Sequence, residues 1–398
     1  MQSTGERRPK SGSSYPPPIS PSLKAVLISI QITWSGPSDP TNPHNWSFRR
    51  RLSLAALLSL IVALPPISST MLAPASSRLR TEFDITSSTN LQLVFSIYNL
   101  GYGFGPLLLA PLSEVYGRLL MLHLCTTAFL VFNTAAGFAR SAIQLGSLRF
   151  LSAFVGSSIM SIGSGVLGDS FALHDFGAAA AVYGLMPMLG PVIGPVAGGF
   201  AAQYASWRWM CWALSLVGVA LQGMGFVFLR ETYAPTILRK KRTQLARESG
   251  NEQLYTVHDS AGPVSRKVFM RLTIRPLKLL ATQPLPQFLG VYLAFLTGVC
   301  YVIYFTFPTL WMERYGQSTA IAGLNYIPIG VGFIVGALTC SYLNDRVWLP
   351  LLLNHSTCEH DLRISFSHIS RRGGSPCSSS NKLLTQWNTR QLTRHLDL

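Results

Sequence analysis

The sequence has few charged residues. Asp, Glu, Lys and Arg make up 12% of the 398 residues, whereas hydrophobic residues make up 48%. Soluble domains carry about 25% charged residues, and their buried helices still show one polar stripe. The long apolar segments described below mostly lack that stripe, which disfavours a large soluble protein.

Motifs of several enzyme classes are also absent. The sequence has no GxxxxGK[ST] loop for ATP, no HExxH and no Gly-x-Ser-x-Gly, so ATP-driven pumping and hydrolysis have no motif support. The six cysteines form no CxxC pair and show no regular spacing, which disfavours a zinc site or a disulfide framework. We therefore predict no enzyme, no catalytic residue, no cofactor and no metal.

Apolar segments long enough to cross a bilayer are abundant. A helical crossing needs about 20 apolar residues, and eight segments meet this requirement: Leu52–Ala73, Ser88–Leu109, Leu119–Ala139, Ala142–Val166, Phe176–Phe200, Trp209–Leu229, Leu285–Thr309 and Thr319–Leu343. Seven of the eight contain no Asp, Glu, Lys or Arg. The sequence predicts an all-α membrane protein with the lipid bilayer as a partner.

Positive charge lies between the apolar segments. The net charge is +16, with seven Lys/Arg in residues 1–51 and eleven in Arg230–Thr282, but only two, one, one and one in the connectors after the first, third, fifth and seventh segments. Because basic residues mark the cytosolic side, we predict a cytosolic N-terminus and a cytosolic central connector. The excess positive charge thus reflects the orientation of the spans in the membrane, and no nucleic-acid partner is expected.

Composition divides the chain into five predicted parts. These are a disordered cytosolic N-terminus (1–50), a six-span bundle (51–229), a cytosolic central loop (230–282), two further spans (283–346) and a Ser-, His- and Arg-rich tail that is disordered or wrongly decoded (347–398).

A polar segment before the first span identifies a family. Trp34–Trp46 reads WSGPSDPTNPHNW and resembles the WxGxxDPxNPxNW lead-in of fungal drug:proton antiporters of the major facilitator superfamily (MFS). The stretches at Arg230–Pro235, Arg275–Leu280 and Tyr315–Tyr326 are similar to further signatures of that branch. The resemblance implies two six-helix bundles, of which this chain holds the first and about two helices of the second.

Since the superfamily transports with twelve spans, we expect a truncation after the eighth span. Either the gene model is wrong near Val347, through an unspliced intron or a frameshift, or the product is inactive.

The connection between the second and third spans carries a charged turn. Gly117 permits a tight turn, and Glu114 and Arg118, four residues apart, can pair on a helix; an isolated surface pair is the alternative. The stretch resembles the GxxxDRxGRR loop motif, whose acid latches the two bundles in the family, although Ala110, Val115 and Leu119 depart from it. An echo six spans later ends in Asp345 and Arg346.

Arg149 is the only charged residue inside an apolar segment. A charge facing lipid is costly, so its side chain should face the protein interior, a water-filled cavity or the membrane boundary; snorkelling near a helix end is the alternative. The surrounding residues resemble the fourth-span motif of the family, whose arginine is implicated in proton coupling.

The fifth span contains a glycine and proline repeat. Gly190, Gly194 and Gly198 lie four apart on one helical face, where they allow close helix packing, and prolines favour a kink. Packing alone would explain the pattern, but the repeat closely resembles the antiporter motif of drug exporters, which implies a gating role for Gly190, Pro191, Gly194, Pro195, Gly198 and Gly199.

Tyrosines and amides inside the spans predict a substrate cavity. An aromatic cavity with amide groups suits hydrophobic or weakly polar compounds. Its candidate residues are Tyr98, Asn99, Tyr102, Asn133, Tyr183, Gln222, Tyr301, Tyr304 and Asn325, with Tyr292 and Tyr326 as further members.

The expected function is proton-coupled efflux of small hydrophobic compounds such as drugs, toxins or secondary metabolites, by alternating access. The expected partners are the hydrophobic substrate and protons. We expect the protein to lie in the plasma membrane and to be monomeric. A membrane sensor or assembly partner that lost transport, and an uptake carrier, are the alternatives.

Overall fold

The computed structural model describes residues 31–36, 38–171, 173–249, 254–256, 266–339 and 343. Tertiary contacts divide the chain into two compact units, Met1–Ile334 and Val335–Leu398. The helices up to Ile334 pack within the first unit. In the second unit residues 335–339 are helical, and Thr339 Oγ1 donates a hydrogen bond to Val335 O over 2.8 Å.

Helices account for most of the described chain. In order they are α1 Phe48–Thr70, α2 Ser76–Glu82, α3 Ser88–Tyr116, α4 Arg118–Ala136, α5 Ala142–Ser170, α6 Leu173–Tyr204, α7 Arg208–Phe228, α8 Ala234–Ser249, α9 Arg266–Thr282, α10 Pro284–Glu313, α11 Thr319–Leu324 and α12, residues 327–339. Within the described residues, eight stretches are long and apolar enough to cross a bilayer, α11 and α12 together forming the last. The fold class and the eight predicted spans are confirmed. The predicted five-part division of the chain stays a prediction, and residues 347–398 lie outside the described residues.

The turns follow from local sequence. Gly117 has φ of +101° and is the single residue between α3 and α4, a backbone conformation that glycine adopts without strain. Ser141 caps α5, because its side chain accepts a hydrogen bond from Gln144 N, which satisfies one of the free amide groups at the helix start.

The first helix is the central one. Within its apolar window 72% of the residues are buried, against 6% for α10. It packs along α6, while α3 packs along α5 and α4 lies against α5 and α7. A helix that is apolar on all sides belongs in the interior of a bundle, and Leu58, Ile61 and Leu64 of α1 are almost fully buried.

The bundle has two ends, which we name by a residue at each. The Gly117 end carries the α3–α4 and α5–α6 connections, and the Trp207 end carries the α2–α3, α4–α5 and α6–α7 connections. At the Trp207 end Glu82 accepts from Arg208 over 2.6 Å and from Trp207 Nε1 over 2.6 Å. One carboxylate thereby ties α2 to the start of α7.

The segment before α1 folds around a carboxylate. In what we call the Asp39 loop, residues 33–46 without 37, Asp39 accepts from Thr41 N over 2.9 Å and Ser35 N over 2.8 Å, and it pairs with Lys241 of α8 over 3.2 Å. The Thr41 hydroxyl also donates to Asp39. These donors, the hydroxyl foremost, hold the pKa of Asp39 well below its usual range. Two short strands, β1 Gln31–Ile32 and β2 Tyr255–Thr256, pair in parallel beside it. The family lead-in therefore joins the chain ahead of α1 to the central connector.

Candidate functional site

A buried arginine lies at the centre of the bundle. Arg149 of α5 is 2% exposed and does not snorkel to a helix end. Its guanidinium donates to Ser68 O over 3.3 Å and to Ser69 O over 3.0 Å, and it lies over the ring of Tyr98, 4.8 Å from the centroid.

The partners of Arg149 explain why a charge is tolerated there. The last four carbonyl groups of a helix have no partner within the helix and carry a partial negative charge. Ser68 and Ser69 belong to the last turn of α1, so the guanidinium satisfies that helix end. Among the described residues no carboxylate pairs with Arg149, and its buried Nε has no hydrogen-bond partner there.

A hydrogen-bond network extends from this helix end to three other spans. Ser68 Oγ donates to Asn133 Oδ1 over 2.9 Å, and Asn133 Nδ2 donates to Ser215 Oγ over 2.9 Å. On the other side Ser69 Oγ lies 3.3 Å from the Tyr301 hydroxyl of α10. The end of α1 thus connects α4, α5, α7 and α10.

The structure gathers some of the predicted cavity residues and separates others. Tyr98 lies against Arg149, and Tyr301 and Asn133 join its hydrogen-bond network. Tyr102 and Tyr183 both reach Met160 of α5. Asn99 is half-buried on α3.

Two of the remaining candidates lie elsewhere: Gln222 donates to His123 O between α4 and α7, and Asn325 donates to Gln317. Tyr304 lies next to Tyr301, with 5.7 Å between ring centroids, and its carbonyl accepts from the Tyr326 hydroxyl. The sequence could not separate these groups, because each partner lies on another helix or beyond a turn.

Small residues of α6 line two of its faces. A Cβ added to Gly190 would come within 2.7 Å of Pro66 and one added to Gly194 within 2.7 Å of Ile67 O, and one on Gly198 would overlap Met71 O; all three therefore face α1. The carbonyl of Pro191 accepts from Thr70 Oγ1 over 3.2 Å. Gly199 and Pro195 instead face α11.

The charged turn at the Gly117 end differs from the expectation. Arg118 pairs with Asp169 at the end of α5, Nε to Oδ2 2.7 Å, and not with Glu114. The reason is the turn itself, because Gly117 ends α3, so that Glu114 and Arg118 do not lie on one continuous helix. Asp345 and Arg346 lie outside the described residues.

Sequence reasoning assigned no chemistry to Glu231, yet it completes this turn. One oxygen accepts from Leu119 N over 3.3 Å and the other from Thr232 N and Tyr233 N over 3.1 Å each. Glu231 therefore caps the start of α4 from a distant part of the chain, where a negative group is stabilised. Gly165 was also missed, and the Arg118 guanidinium occupies the space that a side chain there would need.

The helix α10 differs between its two halves. Residues 284–299 are exposed on every face, whereas the second half meets the first bundle. There Phe305 stacks on Phe95 at 5.6 Å between centroids, and Tyr301 reaches Ser69. Contacts of α10 and α11 with the first bundle thus concentrate toward the Trp207 end.

The chain is similar to transporters of fungi. The profile described as Major Facilitator Superfamily matches residues 58–358. The chain is 39% identical over 320 residues to "Efflux pump vrtL" of Penicillium aethiopicum, covering 80% of this chain and 63% of the pump. It is 35% identical over 316 residues to "MFS-type transporter penM" of Penicillium rubens, covering 79% and 62%. The match thus spans less than two-thirds of these curated relatives.

Solved structures share the fold. A bacterial homologue of the human lysosomal transporter Spinster, in an inward-facing and unoccupied conformation, aligns with a TM-score of 0.55 at 16% identity, covering 76% of this chain and 64% of that one. The xylose transporter XylE of E. coli, in a partially occluded inward-open conformation, aligns with a TM-score of 0.56 at 13% identity, covering 75% and 72%.

Proposed function

Because the chain belongs to the major facilitator superfamily, we propose that it serves proton-coupled efflux of small hydrophobic compounds by alternating access. The observation that carries the proposal is Arg149, a cation with no carboxylate partner among the described residues, buried where α1, α5 and α10 meet. The relatives whose names call them efflux pumps support the outward direction of transport.

Arg149 acts through a fixed charge. An arginine keeps its proton at any physiological pH, so it does not carry the transported proton itself. Its positive charge disfavours a second positive charge nearby, and in a buried site that repulsion is strong. A proton that enters the site would therefore weaken the hydrogen bonds between Arg149 and the end of α1, and these bonds would in turn disfavour proton entry. This coupling links protonation of the site to the position of α1.

The contacts of α10 support a state open at the Gly117 end. Bundle-to-bundle contacts concentrate toward the Trp207 end, while residues 284–299 stand clear of the first bundle. With a cytosolic N-terminus, as the distribution of basic residues predicts, the Gly117 end faces the cytosol. We place the protein in the plasma membrane as a monomer, so that this state loads substrate from inside the cell.

Dye efflux tests the proposal. Yeast cells expressing the chain should accumulate less of a lipophilic fluorescent dye than cells with an empty vector, and an uncoupler should abolish the difference. Arg149→Ala should abolish it as well at equal protein level. Arg140→Ala, which changes an exposed arginine at the Trp207 end, is the matched control and should export normally.

Two results would count against the proposal. Dye accumulation equal to the empty vector would argue against efflux by this chain. Efflux that persists with the uncoupler or in Arg149→Ala would remove proton coupling or the role of Arg149.

A further inference from the structure

One face of α6 is committed to its own bundle. Gly190, Gly194 and Gly198 recur every four residues and meet the backbone or proline ring of α1. The hydrogen bond from Thr70 to Pro191 O closes the same contact. Both helices belong to the first bundle, so this face has no reason to open when two bundles move as rigid bodies.

A second face of α6 meets the other bundle. A Cβ added to Gly199 would lie 2.7 Å from Thr319 O, and one added to Gly323 would lie 2.6 Å from Pro195 O. Nearer the middle of the helix Val192 lies against Gly330. Toward the Trp207 end Gln203 Oε1 accepts from Ala320 N over 2.9 Å.

These contacts have the chemistry of a reversible closure. Small residues let two backbones meet without interlocking side chains, so separating them costs little rearrangement. The amide of Ala320 lies in the first turn of α11, where amides have no partner within the helix, and Gln203 supplies one only while the helices are together.

We propose that Gly199 and Gly323, with Gln203, form the closure of the Trp207 end, and that Gly190, Gly194 and Gly198 only hold α6 to α1. The gating function that the resemblance attaches to the whole glycine motif is thereby assigned to one of its two faces. The assignment rests on alternating access, the proposed function above.

Cysteine accessibility tests it without any transport measurement. In a chain whose six cysteines are replaced by serine, Val196→Cys places a thiol on the half-buried α6 surface that packs with Tyr304 and Tyr326. A membrane-impermeant maleimide added outside the cell reports opening of the Trp207 end. Gly199→Ala or Gly323→Ala should raise the labelling rate about tenfold, the shift given by ~1.4 kcal/mol.

Matched variants separate the two faces. Gly332→Ala adds the same methyl group to α12 where no atom lies within 4 Å, and it should leave labelling unchanged. Gly198→Ala should lower the folded yield and leave labelling of the folded fraction unchanged. Gln203→Ala, which introduces no overlap, should raise labelling in a fully folded protein.

Unchanged labelling in Gly199→Ala, Gly323→Ala and Gln203→Ala would overturn the assignment, and so would a rise in Gly198→Ala equal to theirs. These outcomes are independent of the efflux assay. Increased labelling in these variants, in a chain that does not export dye, would contradict the proposed function alone. Dye export by the chain, with unchanged labelling in these variants, would contradict only the proposed closure.

Discussion

The middle of the bundle and its two ends are held together by different forces. In the middle, a fully buried guanidinium binds backbone carbonyls and glycine faces bring helices into backbone contact. At the ends, Arg118 and Arg208 pair with Asp169 and Glu82 where the side chains still meet solvent. The middle therefore depends on shape and on desolvated charge, and the ends on ion pairs that water and salt weaken.

The largest effect should come from Arg149→Ala. The carbonyls of Ser68 and Ser69 would lose their donor inside the protein, and each unsatisfied buried group costs about 1–3 kcal/mol. We expect the free energy of unfolding in detergent to fall by about 3 kcal/mol, measured by denaturant titration. Arg140→Ala should change nothing, and equal losses in both variants would erase the contrast between the middle and the surface.

Gly198→Ala should follow. The added methyl group meets Met71 O, and overpacking costs about 1–3 kcal/mol, so a loss of about 2 kcal/mol is expected in the same titration. Gly184→Ala, on the same helix with no atom within 4 Å, should instead gain about 0.5 kcal/mol from helix propensity. Increased stability in both variants would mean that the packing between α6 and α1 leaves room for a methyl group.

Asp169→Asn should cost less. Arg118 and Asp169 are 16% and 24% exposed, so the cost of partly desolvating both charges offsets much of their attraction, and a net loss of about 1 kcal/mol is expected. The loss should shrink as salt rises to about 1 M, because screening shortens to about 3 Å, whereas the Arg149→Ala loss should not. Measuring the free energy of unfolding of both variants at low and high salt checks this. A loss in Asp169→Asn that does not depend on salt would mean that the ion pair is shielded from solvent, as Arg149 is.

The smallest effect concerns Asp39 and pH. Its folded pKa lies below the ordinary value of 3.8, so its stabilisation is complete above that value and is lost as the pH falls toward the folded pKa. Between about pH 7 and about pH 5, where an aspartate is ionised, the ratio of the tryptic cleavage rates after Lys241 in Asp39→Asn and in the unchanged chain should exceed one and stay constant, because the pH dependence of trypsin cancels in the ratio. A ratio that varies within that range would assign the loop to another titrating group.

Much of this arrangement could be predicted from the sequence. The spans follow from hydropathy alone, and the four-residue spacing of Gly190, Gly194 and Gly198 placed them on one face. Gly199 falls one residue later, about a quarter turn around the helix, which already separates it from that face. The sequence could not say which helix meets which face, since helix neighbours are set by tertiary packing.

The polar partners were harder to predict. Arg118 could have bonded Glu114 by spacing, but one glycine conformation ended the helix and left Asp169 as its partner. The capping of α4 by Glu231 joins the start of one span to the connector after another. The carbonyl groups that bind Arg149 belong to every residue type and so leave no sequence signal. Charge and hydropathy thus predict which polar groups need a partner inside the protein, and only the fold shows which residue that partner is.

The Asp39 loop has a consequence for how the two bundles meet. Its pair with Lys241 and the β1–β2 ladder attach two points of the central connector to the chain ahead of α1. The entropy lost when two tethered bodies come together grows with the length of free chain between them, so each attachment raises the effective concentration of one bundle around the other. The Asp39 loop, which lies outside every span, thereby favours contact between the two bundles.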